Sequence, residues 1–394
     1  MTSKIRTVLV IGGGIAGSTA AMALQKAGIE ATIYETWETT AVGIGGEIRL
    51  APNGMDALDA IGAGDTIREI ARPMRGTLLH SADGTPLGEI DSPDHLPAWQ
   101  AVRRDELQRR LFEEATRRGI KTVPGKRLVD AVETADGVTA YFADGTEASA
   151  DLLLGADGIR STVRGLIDPD APQPEYAGLL GFAAPVQGDG FEPTGGKLYM
   201  YYGKVAAFGY MVAPDTKAQW FINLPHPELV TVAEAMETGN AYWLEKLTAA
   251  VADDASPALE MLRRTDAADL LITGPLETMP ALNCWSRGRM VLSGDAVHAT
   301  SPSAGQGASL AMESGVQLAR CLRDLPYQEA FVAYEGLRRG RVERIIEEAR
   351  GTNRSKANPA ERKLSDLKPA DTDWQFTHHI DWDAPAVTES SVAA

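Results

Sequence analysis

Three glycine-rich segments carry the residue types needed to hold a phosphorylated, planar ligand. The first reads Gly12-Gly13-Gly14-Ile15-Ala16-Gly17. Gly12, Gly14 and Gly17 occupy fingerprint positions between a β-branched run, Thr7 to Ile11, and an alanine-rich stretch beginning Ile15-Ala16. Gly12 permits a tight turn, Gly14 lets a pyrophosphate reach the backbone, and Gly17 lets helix and strand pack closely. The helix start supplies N–H groups and a positive dipole end. Glu35 follows roughly 20 residues on, where a carboxylate accepts from ribose hydroxyls and repels a 2′-phosphate. The pattern calls for a dinucleotide, FAD or NAD rather than NADP.

The second segment is Gly155-Ala156-Asp157-Gly158, followed by Ser161 as a helix cap. Alone it reads as an ordinary strand-to-helix turn. The third is Gly294-Asp295-Ala296-Val297-His298, then Pro302-Ser303-Ala304-Gly305-Gln306-Gly307. Asp295, at the end of a buried strand, can accept from sugar or ribityl hydroxyls. The bare backbone of Gly305 to Gly307 can lie against a planar ring where side chains would not fit. The helix it opens would favour negative charge on that ring by about 0.3–2 kcal/mol. A reduced flavin carries such charge at its pyrimidine end. His298 reads more readily as structural than as a base.

These segments need a βαβ frame. Thr7–Ile11 suits a buried parallel strand, Ile15–Lys26 a helix ended by Gly28, and Glu30–Tyr34 a second strand. Pro52 to Ile61 reads as a helix with Pro52 near its start. Asp83-Gly84 signals a hairpin within Met74 to Trp99. Asp105 to Arg118 is helical, and Arg127 to Ala148 reads as a meander. Pro174 to Leu224 is β-rich and aromatic, Val230 to Arg264 helical, Met290 to Leu292 a strand, and Ala308 to Leu322 and Tyr327 to Arg350 helices. The expected class is α/β, a Rossmann-like domain interrupted by a β-sheet domain, with C-terminal helices. The division expected is 1–73, 100–173 and 273–350 for the nucleotide unit, 74–99 and 174–272 for the substrate unit, and 351–394 for a tail.

Taken in this order, the three segments resemble the single-component FAD monooxygenases of the para-hydroxybenzoate hydroxylase type. The resemblance runs to about Arg350. The stretch Gly45-Gly46-Glu47-Ile48-Arg49-Leu50 is similar to short bacterial members, including tetracycline-inactivating and natural-product hydroxylases. It implies that Gly12, Gly14, Ala16, Gly17 and Glu35 hold the ADP half of FAD, and that Arg104 serves the phosphate or ribityl region. Asp157 and Gly158 would serve FAD and the passing nicotinamide, Gly294 and Asp295 the ribityl chain, and Pro302, Gly305, Gln306 and Gly307 the isoalloxazine ring. Arg49 stands where some members carry aspartate or glutamine near the flavin, a departure. The implied reaction uses NADH or NADPH as transient reductant and O2, through a flavin C4a-hydroperoxide, to hydroxylate or epoxidise an aromatic or polycyclic small molecule. A reductase of the same fold and a flavin-holding protein with a non-redox role are the alternatives. No second GxGxxG is present, so reduction would occur at a shared site.

For substrate contacts the sequence offers Tyr199, Tyr201, Gln219, Asn223 and His226; each tyrosine suits sheet core equally well. Many relatives carry Trp-Arg after the first substrate-domain strand. Here the chain reads Gly181-Phe182-Ala183-Ala184-Pro185, which argues against a small carboxylate and for a larger neutral or polycyclic substrate. The 394 residues carry a net charge of -16, which disfavours nucleic acid and anionic membrane partners. Two cysteines, Cys284 and Cys321, make neither a disulfide framework nor a metal motif. A polar start and the lack of a long apolar run point to a cytoplasmic protein, a monomer or weak homodimer.

Overall fold

The computed structural model describes residues 5–39, 46–92, 95–186, 190–213, 218–363 and 373–387. Gly45 and parts of the tail lie outside these residues. Among the described residues no helix is long and apolar enough to cross a membrane, and no cluster of His, Cys, Asp and Glu suits a metal.

Two sheets organise the chain. The first has six strands in the order Ser286–Arg287, Met290–Leu292, Leu152–Gly155, Thr7–Ile11, Glu30–Tyr34, Lys121–Val123. All neighbours run parallel except the outer pair, Ser286–Arg287 with Met290–Leu292. Its central strands are buried along their length, from Val8 to Ile11 and Leu152 to Leu154. Continuous burial requires cover on both faces. The Ile15–Lys26 helix packs on one side, and the antiparallel strands Leu128–Glu133, Val138–Phe142 and Glu147–Ala150 lie against the other. Behind the first helix runs Gly307–Asp324, so close that a Cβ on Gly315 would sit 3.1 Å from Ala20.

The second sheet has seven strands in the order Leu271–Thr278, Glu175–Val186, Ala218–Pro225, Ala207–Met211, Lys197–Tyr202, Gly76–Ser81, Pro86–Asp91. The chain contributes to it twice, by the Gly76–Asp91 hairpin and again after Glu175. The architecture is the α/β class expected. Two sequence expectations shift at their ends. Val230 to Arg264 resolves into three helices, Val232–Thr238, Asn240–Ala250 and Ala258–Arg263. The last long helix runs from Tyr327 to Ala357 rather than stopping at Arg350. Gly351 weakens that helix by about 1 kcal/mol relative to alanine, but the next turns are anchored. Asn353 donates to Ser301 Oγ at 2.9 Å, and Lys356 donates to Ser303 Oγ at 2.9 Å.

Candidate active site

The three glycine segments meet at the carboxyl ends of the parallel strands, where an open sheet binds ligands. Gly12 has φ +103°, and a Cβ there would fall 2.4 Å from the Ala156 carbonyl. A Cβ on Gly17 would fall 1.9 Å from the Gly12 carbonyl. Both glycines are therefore fixed by protein contacts. Gly14 is different: a Cβ there would meet nothing within 4 Å, and the helix it begins has no side-chain cap. That is an open, uncapped helix start of the kind that receives phosphate. Gly294, at φ +63°, would place a Cβ 2.5 Å from Ala16, so the third segment touches the first.

Glu35 accepts from the Gly13 amide at 2.6 Å and the Trp37 amide at 3.0 Å. With Gly13, Trp37, Gln108 and Phe112 it lines a cavity at the edge of the glycine turn. Asp157 bonds within its own turn. It accepts from Ser161 Oγ at 2.5 Å and from the amides of Thr162 and Val163, while Ser161 caps the Thr162–Ile167 helix. Its carboxylate shapes this turn, and Gly158, at φ +80°, supplies the left-handed corner after it. Asp295 begins a short helix. Burial raises its pKa, and the Arg104 charge pulls it back. Arg104 itself donates its amide to the Gly46 carbonyl at 3.1 Å, joining the start of the Arg104–Arg117 helix to the segment before Arg49.

The Pro302–Ala304 turn leads into Gly305, at φ +60°, and then Gln306 opens the Gly307–Asp324 helix with no side-chain cap. Arg49 lies across this loop. Its guanidinium donates to the Ala304 carbonyl at 3.3 Å and stacks 4.3 Å from the Trp99 ring, with Phe376 at 5.8 Å. Burial lowers its pKa to about 10. Phe376 comes from the tail, so the tail closes one wall of the site, which the sequence did not disclose. Asn53 donates to Gln306 Oε1 at 3.1 Å and to Glu313 Oε1 at 2.5 Å. Glu313 is fully buried and faces two arginines, Arg338 at 2.5 Å and Arg341 at 2.8 Å. Burial pushes its pKa up, but the two arginines outweigh this and hold it at about 2. Among the described residues, seventeen buried side-chain polar atoms have no hydrogen-bond partner, and three of them, Gln306 Nε2, Arg49 Nε and Thr300 Oγ1, lie at this loop. Buried polar atoms without partners are rare. The gathering of these three around one glycine loop fits a polar-edged ring such as a flavin. His298 is buried, bonds Ser314 Oγ at 2.8 Å, and is pushed down to about 3 by burial and by Arg338. It is neutral and structural.

The seven-stranded sheet sorts the substrate candidates by face, because paired residues share a side. Tyr201 pairs with Phe208, Phe208 with Ile222, and Ile222 with Phe182. This row packs with Trp220, Trp243, Leu247 and Met261 in the core beneath the helices. Tyr199 lies on the same face, and both tyrosines stack on His80. Tyr201 is buried in this core, whereas Tyr199 is half-buried and packs against its edge. His226 sits past the strand end, with Nδ1 2.8 Å from the Glu228 carbonyl and its ring edge-on to Trp243. Gln219 and Asn223 occupy the other face. On that face Asn223 pairs with Gly181 and Ala207, Gln219 pairs with Pro185 and Met211, and Phe221 lies between them, opposite Ala183 and Gly209. Leu198 and Met211 on that face pack against the cluster of Ala51, Met74, Trp99, Ala101 and Phe376. Ala183 lies 3.4 Å from where a Gly46 Cβ would stand. This face therefore looks toward Arg49 and the glycine loop. Lys356, which sequence reading passed over, joins the two units: it donates to Asn223 Oδ1 at 2.9 Å and to Ser303 Oγ at 2.9 Å. The sequence ends the helix at Arg350, so Lys356 falls in the tail, where its side chain reads as one more solvated charge.

Comparison with known proteins agrees with this geometry. A family model described as FAD binding domain matches residues 6–349. The FAD-dependent urate hydroxylase of Klebsiella pneumoniae is 31% identical over 354 residues, covering 87% of this chain and 88% of that one. The 6-hydroxynicotinate 3-monooxygenase of Pseudomonas fluorescens is 28% identical over 360 residues, covering 87% and 90%. Among solved structures, Klebsiella pneumoniae HpxO complexed with FAD and uric acid superposes with a TM-score of 0.79 at 27% identity, covering 92% of this chain and 90% of that one.

Proposed function

The chain belongs to the FAD binding domain family and is an FAD-dependent monooxygenase, and on that premise we propose how its residues divide the work. Gly12, Gly14, Ala16, Gly17 and Glu35 hold the ADP half, with the open Gly14 amide turn on the pyrophosphate. Arg104, Gly294 and Asp295 hold the ribityl and phosphate region. Pro302, Gly305, Gln306 and Gly307 lie along the flavin ring, with Arg49 behind the loop and the Gly307–Asp324 helix start toward the pyrimidine edge. Asp157 and Gly158 shape the neighbouring turn rather than bind directly. The strand order supports assigning 1–73, 100–173 and 273–350 to the flavin unit, and 74–99 and 174–272 to the substrate unit.

Held by these residues, FAD would supply hydride acceptance from NADH or NADPH and activation of O2, one oxygen atom going to the substrate and the other to water. The protein holds the ring in place and keeps water out. We place the substrate, an aromatic or heteroaromatic small molecule, between the glycine loop and the sheet face bearing Gln219 and Asn223. Tyr199, Tyr201 and His226 drop out of the contact set. The Trp99, Leu198 and Met211 wall gives that side an apolar lining. The named activities of the relatives favour this reading over a reductase or a non-redox flavin protein. We also place the enzyme in the cytoplasm as a monomer or weak homodimer.

The observation that carries this assignment is the convergence of unpartnered buried polar atoms and an uncapped helix start on one glycine loop. The test is direct. The purified protein should be yellow and should consume O2 while oxidising NAD(P)H. Asp295→Ala should lose at least tenfold in FAD retention with its fold intact by circular dichroism. Unchanged flavin content in that variant contradicts the role given to Asp295.

A further inference from the structure

Lys356 is an anomaly among the buried charges. Its ammonium is buried, and it bonds only neutral oxygens, Asn223 Oδ1 and Ser303 Oγ, both at 2.9 Å. An ammonium has three donors, so one remains beyond these two. Among the described residues no carboxylate pairs with it. The neighbouring charges are engaged elsewhere. On its own helix, Arg350 pairs with Glu175 and Arg354 with Glu347. On the adjoining strand Tyr176 donates to the His226 carbonyl. Arg362 donates to the Ser355 and Gly203 carbonyls. A buried charge without a counter-ion is unfavourable unless something else supplies one.

Its place says what that is. Ser303 immediately precedes the glycine loop, and Asn223 lies on the sheet face that looks toward that loop. A second cation, the half-buried Arg49, lies across the same loop with an unpartnered Nε and no carboxylate bonded to it among the described residues. Two cations with no carboxylate bonded to them among the described residues thus meet adjacent residues of one loop, Arg49 at Ala304 and Lys356 at Ser303, in a chain whose net charge is -16. Such a pair attracts an anion and disfavours a neutral isostere.

We propose that Lys356 is a specificity-determining residue that pairs with an anionic oxygen, a carboxylate or an ionised ring hydroxyl, on the aromatic substrate. The proposal rests on the monooxygenase site placed above and adds the charge of its substrate. It also reverses an expectation from sequence. The missing arginine after Gly181-Phe182 spoke against a carboxylate, but the cation is supplied by the last helix instead. Burial lowers the Lys356 pKa to about 8. The anion site is therefore fully formed below that pH and is lost above it.

The test uses the FAD-loaded full chain and matched probes: benzoate with benzamide, salicylate with salicylamide, and 2-naphthoate with 2-naphthamide. Binding is read from the flavin absorbance. In at least one pair the carboxylate should bind tenfold or more tighter than its amide. Its dissociation constant should be flat between pH 6.5 and 7.5 and rise toward tenfold per pH unit above about 8. Lys356→Met should remove the carboxylate preference, leave amide binding within twofold and keep the FAD content, and Lys356→Arg should restore part of the preference. No preference in any pair, a preference that survives Lys356→Met, or carboxylate binding in the wild type that ignores pH 8 would each overturn the proposal. The pH profile needs no variant, so a misfolded variant does not leave the question open. Failure to hold FAD, or NAD(P)H oxidation without O2 uptake, would instead count against the monooxygenase site.

Discussion

Two buried cationic neighbourhoods hold the Pro302–Gly307 loop, and they are built in opposite ways. On one side Glu313 sits between Arg338 and Arg341 and reaches the loop through Asn53 and Gln306. Every charge there has an opposite partner. On the other side Lys356 reaches the loop through Ser303 with only neutral partners. A neutralised cluster fixes geometry, because removing one member strands the others. An uncompensated cation does little for stability and keeps its field for a ligand. The difference separates a scaffold from a recognition site, although both touch the same six residues of chain.

The comparison breaks most readily at Glu313. Glu313→Ala leaves Arg338 and Arg341 buried without their carboxylate, so unfolding free energy should fall by about 3–5 kcal/mol, with FAD affinity falling as Gln306 loses its anchor. Urea unfolding with and without added FAD measures both. Acid probes the same cluster. The folded pKa of Glu313, about 2, lies below its ordinary value, so its contribution is complete above the unfolded pKa and is lost as pH falls through about 2. That contribution is on the order of 3 kcal/mol. Glu313→Gln should lack this share of the acid dependence in denaturation curves between pH 5 and 2.

Lys356 should behave in the reverse sense. Its folded pKa, about 8, lies below the unfolded value. The penalty for burying its charge is therefore present in full below pH 8 and relieved as pH rises toward the unfolded value. The stability of the wild type relative to Lys356→Met should increase by roughly 2–3 kcal/mol between pH 7.5 and 10.5. A flat difference would mean that Lys356 is not buried as a cation. The smallest effect belongs to the far face of the sheet. Tyr201→Phe keeps the ring that stacks on His80, so it should cost about 1 kcal/mol or less and leave FAD content and probe binding unchanged. A loss of binding there would return Tyr201 to the pocket.

Local pattern determined much of this protein. The spacing of Gly12, Gly14 and Gly17, the β-branched run before them and Glu35 after them specify a dinucleotide turn from neighbouring residues alone, since the chemistry is carried by backbone conformation. The parallel strands and the first helix follow from the same short-range periodicity. What the sequence left even, or silent, depended on residues far apart. Whether Tyr201 faces core or ligand turns on which side of a seven-stranded sheet the helices cover, and strand periodicity supplies two faces without saying which is inside. Lys356 lies 133 residues from Asn223 and 53 from Ser303, in a helix expected to have ended already. Its charge was plain from the start; its burial, its neutral partners and the loop it touches exist only once the last helix packs between the two sheets.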